Sequence, residues 1–425
     1  MGLNFVENHS KFLRLSPSLN TRLQSYREAG MSYFKKFGFP TRREESWKYT
    51  NVKPIQDQTW MPSVLGASSL SYTDEERLKS FLSSDFTNIV FINGVLSGKH
   101  SQTDELKRNA KVYSLLEKED WIRSECFEDA FEALNSAYAE QGLVVEFPNE
   151  ISVSKPIQFV FFSDLGEGLA PAVQPRVIVR VGDRSSVSLV ETYAGNSSSY
   201  FLNGVFEISV GSSAKVEYCR LQAESNLAFH VGRTQVSLAE NSQFSTLNVS
   251  VGARLQRHNF SLALKGSGAH ANIWGLGVLS GDQHSDSHTL VDHQVGDCTT
   301  EQVYKSILNG SSRAVFDGRI LIRKNSQKAN SSQMNHNLLL SQNAEADSKP
   351  QLEIYADDVK ATHGSTTGQI NNEELFYLQS RGIDKETGVQ MLSRGFAYDL
   401  IYKVQNEQIR AYVDQIVSEY TGAKM

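Results

Sequence analysis

The sequence is poor in cysteine. Its 425 residues contain three cysteines, Cys126, Cys219 and Cys298, which are odd in number and far apart. This spacing does not build the disulfide framework of a small secreted domain, so a reducing compartment fits better. No Cys-x-x-Cys pair occurs, and the chain alone therefore lacks the clustered thiolates of an all-cysteine metal centre. A metal site would need His, carboxylates or another chain, and we interpret each cysteine as a small core residue.

Neither sign of charge dominates, and no apolar segment is long. The 42 Lys and Arg residues stand against 48 Asp and Glu residues, which gives a formal net charge of -6 at pH 7. We therefore expect no binding to nucleic acid or to an anionic membrane, because both favour clustered Lys and Arg. No apolar run approaches the roughly 20 residues that span a bilayer, and the first residues lack the layout of a signal peptide. We predict a cytoplasmic globular protein.

Nucleotide-binding motifs are also missing. The segment 94–100, Gly-Val-Leu-Ser-Gly-Lys-His, has three residues between its glycines, where a phosphate-binding loop needs four. It also has His where a hydroxyl must bind magnesium. The segment 275–281 misses the dinucleotide-binding spacing by one residue. Work that needs ATP would therefore have to come from a partner.

The first 145 or so residues combine helices with short strands. Apolar residues at helical spacing, together with capping residues, predict helices over 18–36, 73–84 and 124–141. The segment 88–96 predicts a pair of strands closed by Asn93-Gly94, because Asn-Gly is a frequent hairpin turn.

A weak repeat follows, in which an apolar strand end, a polar turn and an apolar restart recur. The units begin at Val181, Val210, Leu238 and Leu264, so the intervals are 29, 28 and 26 residues. A near-constant interval is typical of a solenoid, and each unit is too short to hold a strand, a crossover helix and another strand. We predict a parallel β-helix; the rival is a β-sandwich of hairpins, whose connections need not keep a constant interval.

Helical patterns return after His363. Asp384 is a predicted helix cap, and apolar residues recur at helical spacing from Ile401 to Tyr420. The sequence thus predicts a mainly β protein with three domains: 1–145, mainly helical with short strands; 146–366, the β-helix core; and 367–425, a helical domain.

Three histidines form a candidate metal set. His284, His288 and His293 lie beside three aspartates and are chemically able to bind zinc or iron. The surroundings predict strand and turn, however, where residues four apart share a face but lie well over 10 Å apart at about 3.3 Å per residue. A solvated or interface-lining role therefore competes with the metal role.

The densest block of polar residues covers 350–369. It begins as an alternating strand and then combines Asp357-Asp358, Lys360 and His363 where the β region passes into helices. A junction of this kind exposes side chains at the end of a rigid scaffold. His363 is a candidate ligand, against the alternative of a hydrogen-bonded structural histidine.

At this block the sequence resembles the SufB/SufD family of iron-sulfur cluster assembly scaffold proteins. The resemblance extends over nearly the whole chain. The matching segments are Phe39-Pro-Thr-Arg-Arg-Glu-Glu-Ser-Trp-Lys-Tyr-Thr50, Ala314-Val-Phe-Asp-Gly-Arg319, Asn337-Leu-Leu-Leu-Ser341, Pro350-Gln-Leu-Glu-Ile-Tyr-Ala-Asp-Asp-Val-Lys360, His363-Gly364 and Leu375-Phe-Tyr-Leu-Gln-Ser-Arg-Gly-Ile383.

The resemblance implies a fold, partners and a role. The fold is a right-handed parallel β-helix between helical terminal domains. The partners are SufB and the ABC-type ATPase SufC, with a homodimer of the isolated chain left open. The role is that of a non-catalytic scaffold subunit that helps to build and transfer nascent clusters. SufC is expected to contact the C-terminal helical domain, on the surface from Glu373 to Tyr420, and the residues named for this contact are Glu374, Phe376, Tyr377 and Arg381.

The resemblance also implies a site and a departure from the family pattern. His363 matches a histidine that lines a transient iron-sulfur cluster at the SufB-SufD interface, and no tightly bound cofactor is expected in the isolated chain. The family often has Cys where this chain has Ala361, so the other ligands would have to come from SufB. The lack of the cysteine motifs typical of SufB favours the SufD branch.

Two alternatives belong to other functional classes. Many β-helix proteins are exported enzymes that cleave acidic polysaccharides as lyases or hydrolases, and an enzyme assay would identify one. A metalloprotein centred on His284, His288 and His293 would hold stoichiometric metal in the isolated chain.

Overall fold

The helices of the protein lie at the two ends of the chain. The computed structural model describes residues 3–16, 21–62, 70–118, 120–122, 127–140, 142–164 and 170–424. The α-helices in this part are α1 (Leu3–Leu15), α2 (Thr21–Phe37), α3 (Lys53–Gln56), α4 (Tyr72–Ser80), α5 (Thr103–Asn109), α6 (Ala130–Ala137), α7 (Asn372–Ser380), α8 (Lys385–Ile401) and α9 (Glu407–Lys424).

The strands between them form two long sheets. They are β1 (Met61–Pro62), β2 (Thr87–Ile92), β3 (Val95–Leu96), β4 (Lys111–Ser114), β5 (Gly142–Phe147), β6 (Ile157–Ser163), β7 (Pro171–Val173), β8 (Arg176–Val181), β9 (Ser186–Gly195), β10 (Phe201–Val210), β11 (Lys215–Gln222), β12 (Phe229–Leu238), β13 (Gln243–Ser250), β14 (Leu255–Leu264), β15 (His270–Leu279), β16 (His284–His293), β17 (Thr299–Leu308), β18 (Arg313–Ile322), β19 (Asn330–Leu339), β20 (Glu345–Ile354) and β21 (Lys360–Gln369). The first sheet runs β20-β18-β16-β14-β12-β10-β8-β5-β4 and also takes in β1 and β7. The second runs β21-β19-β17-β15-β13-β11-β9-β6-β2-β3.

Successive strands alternate between the two sheets, so each coil contributes one strand to each. Neighbours within a sheet are parallel from β5 through β20 and from β2 through β21 along these orders. We call the sheet that ends at β20 sheet A and the sheet that ends at β21 sheet B. This arrangement is a parallel β-solenoid; the prediction of a parallel β-helix is confirmed, and the hairpin sandwich is wrong.

The register of sheet A shows the repeat directly. Val181, Val210, Leu238 and Leu264 are paired with one another on successive strands. The corner that follows each strand end needs a residue in the left-handed region, which Arg184, Ser213, Asn241 and Gly268 supply with φ of 53°, 56°, 54° and 71°. These turns are rich in Gly, Ser and Asn because such residues accept that conformation or bond locally to the backbone.

Three apolar layers hold the solenoid together. The interior cluster includes Val216, Phe244 and Phe260. Helices α8 and α9 cover the outer face of sheet B, where Leu400 and Val413 belong to the same cluster as strand residues of that sheet. The N-terminal region covers part of the outer face of sheet A in a further cluster.

The N-terminal elements agree in kind with the predictions and differ at their ends. Helix α2 overlaps the predicted 18–36 and ends one residue later, and α4 overlaps the predicted 73–84 and begins one residue earlier. Helix α6 is shorter than the predicted 124–141, part of which lies outside the described residues. Strands β2 and β3 pair antiparallel around Asn93 and Gly94, whose φ values are 50° and 83°. Sheet B already includes β2 and β3, inside the region predicted as 1–145.

The C-terminal elements also follow the sequence. The Asp384 side chain caps α8 by accepting a hydrogen bond from the Thr387 N–H. The periodic run from Ile401 to Tyr420 is divided, since α8 ends at Ile401 and α9 begins at Glu407. Within the described residues, no helix is long and apolar enough to cross a membrane.

Candidate functional site

The solenoid is open at its C-terminal end. Strand β20 is the last of sheet A and β21 the last of sheet B. Each bonds to a described strand along one edge only, so alternate residues of each ten-residue strand present unpaired backbone groups on the other edge. Such edges are ready to pair with another chain. The end of the scaffold is therefore the place where a partner can continue both sheets.

His363 lies on the open strand β21. Ala361 packs against the interior cluster, and because side chains alternate along a strand, His363 and Ser365 share that inward face. The next coil inward pairs Gln333 with His363. No described coil covers the other side, so the His363 side chain is exposed although it faces the interior. The geometry offers one free imidazole at the end of the solenoid.

Ala361 occupies the position on the same face that is nearest His363 toward the N-terminus. Residues two positions apart on one strand are separated by about 6.6–6.8 Å. A thiolate at residue 361 would stand next to the imidazole, and the alanine methyl cannot replace it. On the inward face of β21, His363 is therefore flanked by the methyl group of Ala361 and the hydroxyl of Ser365.

Side-chain amides join the two strands of the last coil. The Asn337 Nδ2 donates to Asn335 Oδ1 at 2.8 Å and to Thr367 Oγ1 at 3.3 Å. Ser348 on β20 donates its hydroxyl to Asn335 Oδ1. The bond from Ser348 crosses from sheet A to sheet B, and the bond to Thr367 joins β19 to β21, so both open strands are tied to β19. The network prearranges the open end.

The Asp357-Asp358 pair lies in the corner before β21. The Asp358 carbonyl oxygen accepts a hydrogen bond from the Lys328 N–H at 2.5 Å, and its own N–H donates to Gln327 Oε1 at 2.9 Å. Both aspartates are exposed. The backbone of the pair thus anchors the corner, while the carboxylates face solvent near the open end.

Helix α7, which follows β21 directly, carries an exposed aromatic surface. Leu375 is buried and lies beside Gly388 of α8. Phe376 and Tyr377 are 71% and 58% exposed, and Arg381 donates to the Tyr377 hydroxyl at 3.2 Å. Glu374 is also exposed. These four predicted contact residues form a surface beside the open end, with its apolar part facing solvent.

The apolar face of α9 packs against sheet B and is not exposed. Ile409, Val413 and Ile416 are buried against sheet B, and the Glu217 carboxylate accepts hydrogen bonds from the Gln405 and Asn406 N–H groups. Within the expected partner surface from Glu373 to Tyr420, the apolar face of α9 is thus used in packing, and the contact itself stays a prediction. Among the described residues, α7, one side of α8 and the polar side of α9, which carries Glu407, Gln415 and Glu419, are exposed.

The three candidate metal histidines do not converge. His284 accepts from or donates to Thr50 Oγ1 at 2.9 Å, while His288 Nε2 lies 3.1 Å from Asp286 Oδ1 on the same outer face. His293 faces the interior, where burial lowers its pKa to about 4. Across the described ranges, no three His, Cys, Asp or Glu side chains group as a metal site. The structure thus does not assemble the predicted set.

The early motif of the sequence lies across the outer face of sheet A. Trp47 is buried, and the Arg257 guanidinium carbon lies 3.7 Å from its ring centroid. Lys349 of β20 donates to Glu45 Oε1 at 2.5 Å, and Thr50 donates to Asp286. The segment 45–50 therefore braces strands from β14 to the open strand β20 from outside.

A polar cluster inside the middle coils was not found from the sequence. His230 Nε2 lies 2.7 Å from an Arg220 nitrogen, and His230 Nδ1 lies 2.6 Å from Glu224 Oε2. Because a guanidinium only donates, Nε2 accepts and Nδ1 carries the hydrogen. Burial lowers the pKa of His230, as a neutral ring requires. The sequence signal is faint, since inward and outward positions are distinguished only once the register is known.

The cysteines agree with the core interpretation where they are described. Cys219 and Cys298 are buried free thiols, and burial raises the pKa of both. Raised values keep a thiol protonated and unreactive. Cys126 lies outside the described residues.

Comparisons with known proteins point to one family. A family model described as SUF system FeS cluster assembly, SufBD core domain, matches residues 163–396. A second, described as SufBD protein N-terminal region, matches residues 5–159. Together they cover both the solenoid and the helical region before it.

Curated relatives match over most of their length. An iron-sulfur cluster assembly SufBD family protein of Synechocystis is 29% identical over 89% of this chain and 87% of its own. The iron-sulfur cluster assembly protein SufD of Escherichia coli is 28% identical, with 88% of each chain covered. A chloroplastic protein of Arabidopsis thaliana, ABCI7, is 29% identical over 96% of this chain and 88% of its own.

Proposed function

The chain belongs to the SufBD family of the SUF system for iron-sulfur cluster assembly, and from that premise we propose that it is a SufD-type scaffold subunit. In this proposal it pairs with SufB, binds the ATPase SufC, and helps to build nascent clusters and pass them on. It catalyses no reaction itself, because ATP is hydrolysed by SufC. The cluster is cargo and not a resident cofactor. We also propose a cytoplasmic location, with which the free buried thiols agree.

The observation that carries the proposal is the exposed imidazole of His363 on an open edge strand. An edge strand can pair with a strand of another chain through main-chain hydrogen bonds. A partner docked there would bring its own side chains to within reach of His363. One imidazole from this subunit and further ligands from SufB then form a shared site.

The chemistry of the site fits temporary binding. Neutral imidazole is a good ligand for iron, and cluster irons are otherwise held mainly by thiolates. With Ala361 beside it, His363 supplies one ligand of a mixed shell. We propose that this mixed shell makes a nascent cluster easier to release than four thiolates would.

The proposed contact with SufC is the aromatic surface of α7. Phe376 and Tyr377 are large, exposed and held on a capped helix whose Leu375 is anchored to α8. Exposed aromatic side chains near arginine are frequent at the centre of protein interfaces. The helix follows β21 after two residues, so the ATPase contact would adjoin the cluster site.

A second copy of the chain is the proposed occupant of the open end when SufB is absent. The same unpaired edges then pair with each other, because main-chain hydrogen bonding does not depend on side-chain identity. Measuring the molar mass of the purified chain alone and with added SufB tests this, and a monomer at all concentrations would contradict it.

The main test is co-purification with SufB and SufC under anaerobic conditions, comparing wild type with His363→Ala. We expect the stoichiometry of the complex to be unchanged and its iron and sulfide content to be lost. The control is His336→Ala, on the neighbouring strand β19, where His336 bonds to Thr366 Oγ1 at 2.8 Å. A wild-type cluster content in His363→Ala would place the chemistry in SufB, and failure of wild type to form the complex would overturn the pairing.

A further inference from the structure

A short row of side-chain amides runs along the interior toward His363. Gln302 on β17 and Gln333 on β19 are both buried. The Gln302 Nε2 donates to Thr289 Oγ1 at 2.7 Å. The Gln333 Nε2 then donates to Gln302 Oε1, also at 2.7 Å. The Gln333 amide nitrogen thus points away from the open end, toward β17, and the Gln302 nitrogen in turn points across the interior to β16.

The oxygen of Gln333 is left over. Among the described residues, Gln333 Oε1 is a buried atom without a hydrogen-bond partner. Buried polar atoms usually have one, because an unmet acceptor costs free energy. The amide nitrogen is committed to Gln302, so the oxygen is the end that remains toward the next strand. That strand is β21, and the register places His363 directly beside Gln333.

The surroundings favour His363 as the donor. Adjacent strands are roughly 4.8 Å apart, which is within reach of two side chains on the same face. On that face of β21, Ala361 has no polar side-chain atom. Ser365 pairs with Asn335, whose Oδ1 already accepts from Asn337 and Ser348. The His363 ring is exposed and has room to turn toward the amide oxygen.

We propose that Gln333 is a positioning residue for His363. Its Oε1 accepts a hydrogen bond from one ring N–H of His363, which fixes the tautomer and leaves the lone pair of the other nitrogen free for iron. Histidines that bind metals commonly donate their other N–H to an oxygen acceptor in this way. The inference rests on the proposed role of His363 and adds a residue that prepares it.

The first test reads the imidazole without any cluster. The full chain is labelled with ¹⁵N-histidine, and the ring signals of His363 are assigned by their loss in His363→Asn. At about pH 8.5, where imidazole is neutral, we expect one dominant tautomer in wild type. Gln333→Leu removes the acceptor and should give a mixture of the two tautomers. Gln333→Glu keeps an oxygen acceptor and should restore the single form.

A matched control separates positioning from packing. Gln256 is a buried interior glutamine whose Oε1 also has no partner in the described part of the chain, but it lies on β14. Gln256→Leu should leave the His363 tautomer as in wild type. If Gln333→Leu does not fold, Gln333→Met, which is unbranched and lacks the oxygen, takes its place. An unchanged tautomer in the folded variant overturns the proposal.

The second test uses the complex with SufB and SufC. We expect Gln333→Leu to reduce cluster retention by about 10-fold or more, the range seen when a ligand loses its orienting partner, and Gln333→Glu and Gln256→Leu to behave as wild type. The two hypotheses fail separately. If His363→Ala loses the cluster while Gln333→Leu changes neither tautomer nor retention, the positioning role is wrong. If Gln333→Leu alters the tautomer but neither variant loses cluster, the ligand role of His363 is wrong.

Discussion

The middle coils and the last coil have the same backbone and different surroundings. In the middle coils, inward side chains such as Tyr218 and His230 are wholly buried between neighbours on both sides. In the last coil, the inward His363 is exposed because β21 has a neighbour on one side only. Position along the stack therefore decides what a side chain does. A polar residue in the middle has only interior groups to bond with, whereas one at the end is available to a partner.

The largest change in the free energy of unfolding is expected when a substitution creates a cavity in the middle coils. Phe244 is buried and packs near Phe260 at a ring distance of 6.5 Å. Phe244→Ala should lower the free energy of unfolding by about 3–5 kcal/mol, as measured by urea denaturation. An inward substitution in the last coil, Ser365→Ala, should change it by less than about 0.5 kcal/mol. Similar losses in both would show that the last coil is as tightly packed as the middle.

Lowering the pH should reduce the stability of the protein through His258, a buried histidine of the middle coils. Burial holds the pKa of His258 well below its ordinary value, and neighbouring Arg220 and His230 lower it further. The unfolded chain then binds a proton near pH 6.5 that the folded chain does not. Stability from this residue is present above pH 6.5 and is lost as pH falls below it, by up to about 1.4 kcal/mol per pH unit.

The measurement is urea denaturation at pH 7 and pH 5.5. His258→Asn should show a smaller loss on acidification than wild type, by roughly 1 kcal/mol. Ser365→Ala, which removes no titratable group from the last coil, should lose as much as wild type. An equal loss in wild type and His258→Asn would mean that other buried groups determine the acid response.

Substitutions on α7 are expected to have the smallest effect on stability and a large effect on the affinity for SufC. Replacing Phe376 and Tyr377 together by alanine should weaken SufC binding by about 10-fold or more, as for central interface aromatics. The free energy of unfolding should change by less than about 0.5 kcal/mol, since both side chains are exposed. Titration calorimetry gives the affinity.

Tyr402→Ala is the matched control for α7, because Tyr402 is 67% exposed and lies just beyond the end of α8. It should bind SufC as wild type does. Equal weakening in the control would move the contact toward the end of α8, and no weakening in the double variant would remove α7 from it.

The fold could be predicted from the sequence because its repeat is local. Val181, Val210, Leu238 and Leu264 recur at nearly constant intervals, and the left-handed corner residues follow each of them. The three histidines of the predicted metal set are not brought together, because their side chains do not share one face. His284 and His288 share an outer face, while His293 faces inward, a difference that follows from alternation once 284–293 is known to be one continuous strand. The Gln333 to His363 neighbourhood depends on the strand register.

The helices show a second limit. Apolar periodicity from Ile401 to Tyr420 is the same whether a helix packs against its own sheet or waits for a partner. Here Ile409 and Val413 are buried by sheet B, whereas Phe376 and Tyr377 of α7 are exposed. Family resemblance indicated the helical domain, and packing identified the part of it that is free.

The two open strands also affect how much of this protein can stay in solution when it has no partner. Ten-residue edges that remain unpaired invite pairing with any extended strand nearby, including strands of unfolded chains. A subunit made in excess of its partner would be consumed by self-association or precipitation, while an assembled one would be protected. Under the proposed pairing, the geometry of β20 and β21 therefore favours matched production of the subunits.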